Sequence, residues 1–274
     1  VDLTAYLEQA ETAARAAGAI IQDYRGRFEV EEKARADLVT SADPAAQAAI
    51  IDSLRSRFPD HTFLGEEKGA EPDPAIPFRW VIDPLDGTTN YAHGFPFYAV
   101  SIALEVHGEL AVGVVYDPSR DELFRAAKGL GAFCNGKPMK VSATSQLTES
   151  LLATGFPPLL GTENTARALA DLFILFARKC HSVLRLGSAA LSLAYAAAGR
   201  LDGVYAYNWK PWDSAAGVVL VREAGGRITN TDGSPVYDLY RPDILCSNGP
   251  LHDEMASMLS ATVAEGILAL NRRK

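Results

Sequence analysis

The segment Trp80-Val81-Ile82-Asp83-Pro84-Leu85-Asp86-Gly87-Thr88-Thr89-Asn90 constrains this chain more than any other. A short apolar run ends in two carboxylates three residues apart and then in a Gly-Thr-Thr turn. Trp80–Ile82 reads as a buried strand, so the aspartates fall where a strand meets the surface, a usual place for sites in sheet-containing folds. Two carboxylates in contact repel by about 4 kcal/mol at an effective dielectric of ~20. A chain keeps such a pair by sharing a proton between them or by placing a cation there. The Gly-Thr-Thr turn offers backbone N–H groups and hydroxyls suited to a phosphate, which favours the cation. Metal plus phosphate is the first expectation.

Composition sets the surroundings. The 274 residues suffice for one large domain or two modest lobes with a full core, approximately 1–150 and 151–274. A hydrophobic fraction of 48% and a charged fraction of 22% are ordinary for a globular chain. The net charge of −8 and the lack of a basic stripe argue against a nucleic acid polymer. An anionic substrate then needs bound cations to invert the local field. Cys134, Cys180 and Cys246 are far apart and odd in number, so neither a disulfide framework nor a zinc spacing exists, and each reads as a packing residue. Val1–Ile21 lacks the basic and apolar regions of a signal peptide. No run reaches the ~20 apolar residues of a membrane helix. These features together give the expectation of a cytoplasmic protein.

Periodicity predicts helices over Leu3–Tyr24, from an Asp43 cap with Pro44 at its first position to about Phe58, and over Thr165–Arg178, Ser188–Ala198, Trp212–Ala224 and Leu251–Gly266. Strands are expected at His61–Leu64, Phe97–Val106, Leu110–Tyr116, Asp121–Ala126, Gly131–Cys134, Ser182–Leu186, Gly203–Tyr207 and Ile244–Cys246. Helices, then an antiparallel block, then alternating elements give layered α+β packing in a single unit.

Three acidic clusters share one local grammar. Glu66 follows an apolar strand and a glycine, Asp83 and Asp86 follow an apolar strand, and Asp213 follows Trp212 at the start of an apolar helix. Such placement sends carboxylates into a common crevice. Oxygen ligands without His or Cys suit Mg²⁺ rather than zinc. Each acid also has a plainer reading: a turn for Asp83 and Asp86, a helix cap for Asp213, Asp43 and Ser188. The five histidines show no ligand spacing, and Leu186-Gly187-Ser188-Ala189-Ala190 lacks the serine-hydrolase elbow.

Gly65-Glu66-Glu67, the Asp83–Asn90 segment and Trp212-Asp213-Ser214-Ala215-Ala216-Gly217 resemble the three signature motifs of the inositol monophosphatase family. Asp37–Asp43 and Gly187-Ser188-Ala189 match the family's flanking segments, in its order and spacing. The resemblance implies an α-β-α-β-α sandwich of the sugar-phosphatase type, usually a homodimer, and a Mg²⁺-dependent, lithium-sensitive phosphomonoesterase. Its substrate would be inositol monophosphate or a related small sugar or alcohol phosphate, hydrolysed by metal-activated water. Carried over, Glu66, Asp83 and the Leu85 carbonyl would bind one ion, and Asp83, Asp86 and Asp213 a second. A third ion would lean on Glu66. Gly87 and Thr88 N–H groups would hold the phosphate, Thr88 with Asp43 and Glu66 would activate water, and Ser188, Ala189 and Asp213 would face the alcohol.

Ala206 departs from that pattern, because inositol-specific members carry an acid seven positions before the last-motif aspartate. Lys33 also departs from the spacing seen in some relatives. Histidinol phosphate, fructose 1,6-bisphosphate and nucleotide 3′-phosphate therefore stay open as substrates. A haloacid-dehalogenase-type phosphatase would need its aspartates two apart. A non-catalytic metal-binding regulator is the alternative of another class.

Overall fold

A computed structural model describes residues 2–34, 37–68, 73, 75–156 and 163–263. Helices α1 (Thr4–Tyr24) and α2 (Ala42–Arg57) flank a two-stranded ribbon of β1 (Val30–Ala34) and β2 (Asp37–Thr40). A seven-stranded sheet follows in chain order: β3 (Thr62–Gly65), β4 (Phe78–Asp86), β5 (Ala99–Val106), β6 (Glu109–Asp117), β7 (Glu122–Ala127), β8 (Gly131–Cys134) and β9 (Lys137–Pro138). Short helix α3 (Thr88–Ala92) lies between β4 and β5. The β3–β4 pair is parallel and the rest of this sheet is an antiparallel meander.

The second sheet has five strands, β10 (Leu151–Gly155), β11 (Ser182–Leu184), β12 (Gly203–Tyr207), β13 (Arg227–Thr229) and β14 (Asp243–Ser247), in the order β11-β10-β12-β14-β13. Its helices are α4 (Glu163–Ala177), α5 (Ala189–Ala197), α6 (Pro211–Glu223) and α7 (His252–Val263). Helices α1 and α2 cover the outer face of the larger sheet, α5 and α6 lie between the sheets, and α4 and α7 cover the outer face of the smaller one. Three buried apolar clusters fill the spaces between these five layers. The expected α-β-α-β-α sandwich is the fold.

The central helices are buried nearly all round, which explains their small side chains. A Cβ added at Gly217 of α6 would lie 2.4 Å from the Cβ of Leu193 on α5. At Gly113 of β6 it would lie 2.5 Å from the Ala216 carbonyl oxygen. Overpacking of this kind costs about 1–3 kcal/mol. This tight middle layer brings Asp213 of α6 against the end of β4.

Three differences from expectation have physical causes. Asp43 is not the cap of α2: Ser41 already has helical backbone angles (φ −61°, ψ −13°), so the helix begins at Ala42 and Asp43 sits in its first turn. There its carboxylate reaches back to accept from the Thr40 N–H and hydroxyl at 2.8 and 2.6 Å. Strand β4 runs on through both aspartates, its pairing with β5 shifting between Asp83 and Asp86, where Pro84 has no N–H to donate. The β1–β2 ribbon, β10 and β13 are further strands, short or charged enough to carry little periodicity. The expected end of the last helix at Gly266 lies outside the described residues.

Candidate metal and phosphate site

Strand β4 delivers Asp83 and Asp86, and the first turn of α6 delivers Asp213. One carboxylate oxygen from each lies within 4.8 Å of the others. Glu66, immediately after β3, interacts with Asp83 and lines the same crevice of about 170 Å³, together with Leu85, Thr88 and Asp213. The turn carrying Glu66 is pinned twice. Its N–H donates to the Ile82 carbonyl at 3.1 Å, and the Gln47 amide exchanges bonds of 3.0 and 2.9 Å with the backbone of Glu67. Glu67 thus serves through its backbone.

The acids are held by groups that orient them. The Leu85 N–H donates to Asp83 Oδ1 at 3.0 Å. Asp86 accepts from the Ser188 hydroxyl, from the Ala189 N–H at 3.1 Å and from the Ala190 N–H at 2.7 Å, which places it at the start of α5. Asp213 accepts from the Lys210 N–H at 2.7 Å in a capping box that fixes the start of α6. Asp213 is therefore not the N-cap, a position Lys210 holds, but the third helical residue, whose carboxylate folds back on the cap backbone and also joins the cluster. Ser188 likewise caps α5 through the Leu191 N–H at 3.3 Å while it touches Asp86.

Burial raises the Asp83 carboxyl well above the ordinary range, with further contributions from Glu66, Asp86 and Asp213. Asp86 is pushed up to about 6 by burial, against the lowering effect of its Ser188, Ala189 and Ala190 donors. Asp213 is raised by burial first and by Asp86 next. Carboxylates crowded without a counter-charge are unfavourable, and a divalent cation relieves all three at once. The donor set is entirely oxygen, which fits a hard ion.

Next to the cluster, the Thr88 hydroxyl lies 3.0 Å from Asp43 Oδ1 and 2.9 Å from the Leu85 carbonyl. Gly87 before it has φ +94°, and a Cβ there would meet the Phe97 carbonyl at 2.9 Å, so only glycine fits. Asn90 Nδ2 donates to the carbonyls of Phe97 and Leu186, both at 2.8 Å, and so joins the α3 turn to the segment before Ser188. Asn90 closes the Asp83–Asn90 motif, yet spacing alone gives it no such role. Arg185 and Phe156, which line the adjoining cavity with Asn208 and Trp209, are site residues that sequence reasoning misses. An isolated Arg ahead of Gly187 is the one signal available there.

All the expected acids converge, then, around one crevice between two sheets, beside a threonine and backbone turns able to receive an anion. A layered α/β fold with an oxygen-only carboxylate cluster so placed has the features of a metal-dependent phosphatase. The sequence profile of the inositol monophosphatase family matches residues 2–266. An inositol-1-monophosphatase of Synechocystis sp. is 46% identical over 266 residues, covering 95% of this chain and 91% of that protein. The Nus factor SuhB of Escherichia coli K12 is 44% identical over 236 residues, covering 85% and 88%. The solved inositol monophosphatase of Anabaena (Nostoc) sp. superposes with a TM-score of 0.85 at 41% identity, covering 95% of this chain and 97% of that one. The chain belongs to the inositol monophosphatase family and is a phosphoric monoester hydrolase. Among the described residues no helix is long and apolar enough to cross a membrane.

Proposed function

We propose that this phosphatase hydrolyses the monoester of a small sugar, polyol or related alcohol with Mg²⁺ as its cofactor. Glu66, Asp83, Asp86, Asp213 and the Leu85 carbonyl would hold two or three ions. Bound there, the ions would neutralise the acids, attract the phosphate and act as Lewis acids toward water and the departing oxygen. The observation that carries this reading is the convergence of the buried Asp83 and Asp86 of β4 with the half-buried Asp213 of α6, distant in the chain, to within 4.8 Å.

The chain's own groups do the positioning. The N–H groups of Gly87 and Thr88 would hold the phosphate oxygens. The Thr88 hydroxyl, between Asp43 and Leu85, would orient the attacking water and pass its proton toward Asp43. Burial raises the Asp43 carboxyl, which makes it a better proton acceptor than an exposed aspartate. Glu66 would share in that work. Ser188, Ala189 and Asp213 would face the alcohol. Positioning and charge stabilisation carry such a reaction, and no phospho-enzyme is needed.

A single catalytic unit, lithium inhibition, a homodimer and cytoplasmic residence belong to the same reading. Relatives named Nus factor raise a regulatory role, yet a full acidic set favours catalysis. A panel of phosphate monoesters is incubated with the protein and Mg²⁺, and released phosphate is measured with and without chelator. Turnover that chelation abolishes supports the reading. No turnover of any ester, or undiminished turnover in chelator, overturns it.

A further inference from the structure

The first turn of α6 is held from three directions, and Asp213 lies among the ties. Its own carboxylate accepts from the Lys210 N–H at 2.7 Å. On the side of the larger sheet, the Ser101 hydroxyl donates to the Trp212 carbonyl at 3.2 Å. Ser101 stands on β5 in register with Asp83, so this bond links the strand position opposite one acid to the turn that carries another. On the third side, the hydroxyls of Ser214 and Tyr237 lie 3.0 Å apart, either able to donate. Successive helical residues are rotated by about 100°. Asp213 therefore lines the crevice while the buried Ser214 meets Tyr237.

Tyr237 arrives on the connection between β13 and β14, residues 230–242, which is braced by its own side chains. Asn230 Nδ2 donates to the carbonyls of Asp243 and Asp238 at 2.8 and 3.3 Å, and its Oδ1 accepts from the Asp238 N–H at 2.9 Å. The buried Asp243 carboxylate accepts from the Thr231 N–H at 2.7 Å and from Arg241 Nε at 3.1 Å. Arg241 also pairs with Asp232 at 2.7 Å. Leu239 is buried, and Tyr237 and Trp212 both pack against the apolar cluster that includes α6. A side chain so braced fixes the helix it touches rather than following it.

We propose that Tyr237 is a positioning residue for the ion site, acting through Ser214 to fix the rotation of α6 and with it the Asp213 carboxylate. This role rests on the reading of Asp213 as an ion ligand. Ligand sets work only when held to within about 0.5 Å of their geometry. Tyr240, three residues further along the same loop, supplies the internal comparison. Its hydroxyl donates to Glu105 at 2.7 Å and accepts from Arg79 at 2.6 Å, at the end of β4 away from Asp83 and Asp86.

The test titrates the full chain, without substrate, with Mn²⁺, a paramagnetic stand-in for Mg²⁺ that shares its preference for oxygen. Electron paramagnetic resonance of the free ion reads the binding. Tyr237→Phe should weaken it about 10-fold, the lower end of the effect of losing an outer-shell partner, since Tyr237 acts one residue away from the ligand. Ser214→Ala should do the same, and the double variant should bind no more weakly than either, because both remove one bond. Tyr240→Phe should leave binding unchanged. In turnover of p-nitrophenyl phosphate, Tyr237→Phe should raise the half-saturating Mg²⁺ by the same factor, with kcat at saturating Mg²⁺ retained. Unchanged Mn²⁺ binding in Tyr237→Phe, losses that add in the double variant, or an equal loss in Tyr240→Phe overturns the proposal while leaving the phosphatase reading intact. An unaltered chain that binds no Mn²⁺ overturns the metal reading, and this proposal with it.

Discussion

The hydroxyl of Ser188 donates to the carboxylate of Asp86, 102 residues earlier in the chain. One bond thereby ties the acid-bearing strand of the larger sheet to the helix that opens the substrate side. Asp86 is thus held by the smaller sheet's half of the molecule as well as by its own strand.

Replacing Asp83 by Asn should separate activity from stability. The amide oxygen can still accept from the Leu85 N–H, so local geometry survives. Loss of a charge from the proposed metal site should lower kcat/KM by more than the ~10–100-fold typical of outer-shell partners. Thermal melting in chelator should move the other way, because a buried negative charge facing Glu66, Asp86 and Asp213 is gone. Each kcal/mol of repulsion relieved is worth roughly 2–4 °C in a chain this large. A lower melting point in chelator would contradict the crowding argument.

The larger outlines of this arrangement are legible in sequence because its parts carry strong local signals. Asp83 and Asp86 follow an uninterrupted apolar strand, and Asp213 sits between Trp212 and a run of small residues. Their placement at strand ends and a helix start already points to a common crevice, but only the motif resemblance says which acids share an ion, since nothing in the local pattern says which sheet a strand joins. The start of α2 is misread from sequence because Asp43-Pro44 is a strong cap signal in isolation. The tertiary bond from Thr88 and the bonds from Thr40 use the Asp43 carboxylate otherwise. Arg185 and the Tyr237–Ser214 bond stay hidden, because a side chain's distant neighbours leave no trace in spacing.

The Thr88 hydroxyl has one proton and two acceptors within reach, Asp43 Oδ1 and the Leu85 carbonyl. Thr88→Ala should reduce kcat about 10–100-fold with a smaller change in KM. Thr88→Ser should keep most of the activity. Steady-state kinetics of the two variants decide it: equal losses in both would point to the methyl group and packing.

Asn90 donates to two backbone carbonyls, of Phe97 and Leu186, which lie far apart in the chain. Asn90→Ala should destabilise the fold by about 1–3 kcal/mol, the usual cost of stranded buried polar groups. A urea titration reads the shift in midpoint. Activity at a temperature where the variant remains folded should also fall, as the α3 turn loses its register with Ser188. An unchanged midpoint would mean that water replaces the amide without cost.

His252 predicts a pH effect on stability remote from catalysis. Its ring is fully buried, with Nδ1 2.8 Å from Ser247 Oγ and Nε2 3.0 Å from Thr229 Oγ1. Burial, with Arg227 adding to it, pushes its pKa down to about 4 from 6.5. The native state thus binds fewer protons than the unfolded chain between these values. Its contribution is whole above 6.5 and drains away as pH falls toward 4. The loss between about pH 7.5 and pH 5 should be about 2 kcal/mol, seen in urea midpoints and reduced in His252→Gln. A slope that persists in the variant would assign it to other groups.

The order in which the acids leave the ribosome follows from the position of Asp213 on α6. Glu66, Asp83 and Asp86 emerge within the first third of the chain, whereas their last partner comes more than a hundred residues later. Until translation has passed it, the growing polypeptide carries a half-built anionic knot whose central layer still lacks α6. Cellular magnesium could therefore steady a nascent intermediate before it serves any turnover, and synthesis under magnesium starvation should yield more misassembled product than starvation imposed on the finished protein.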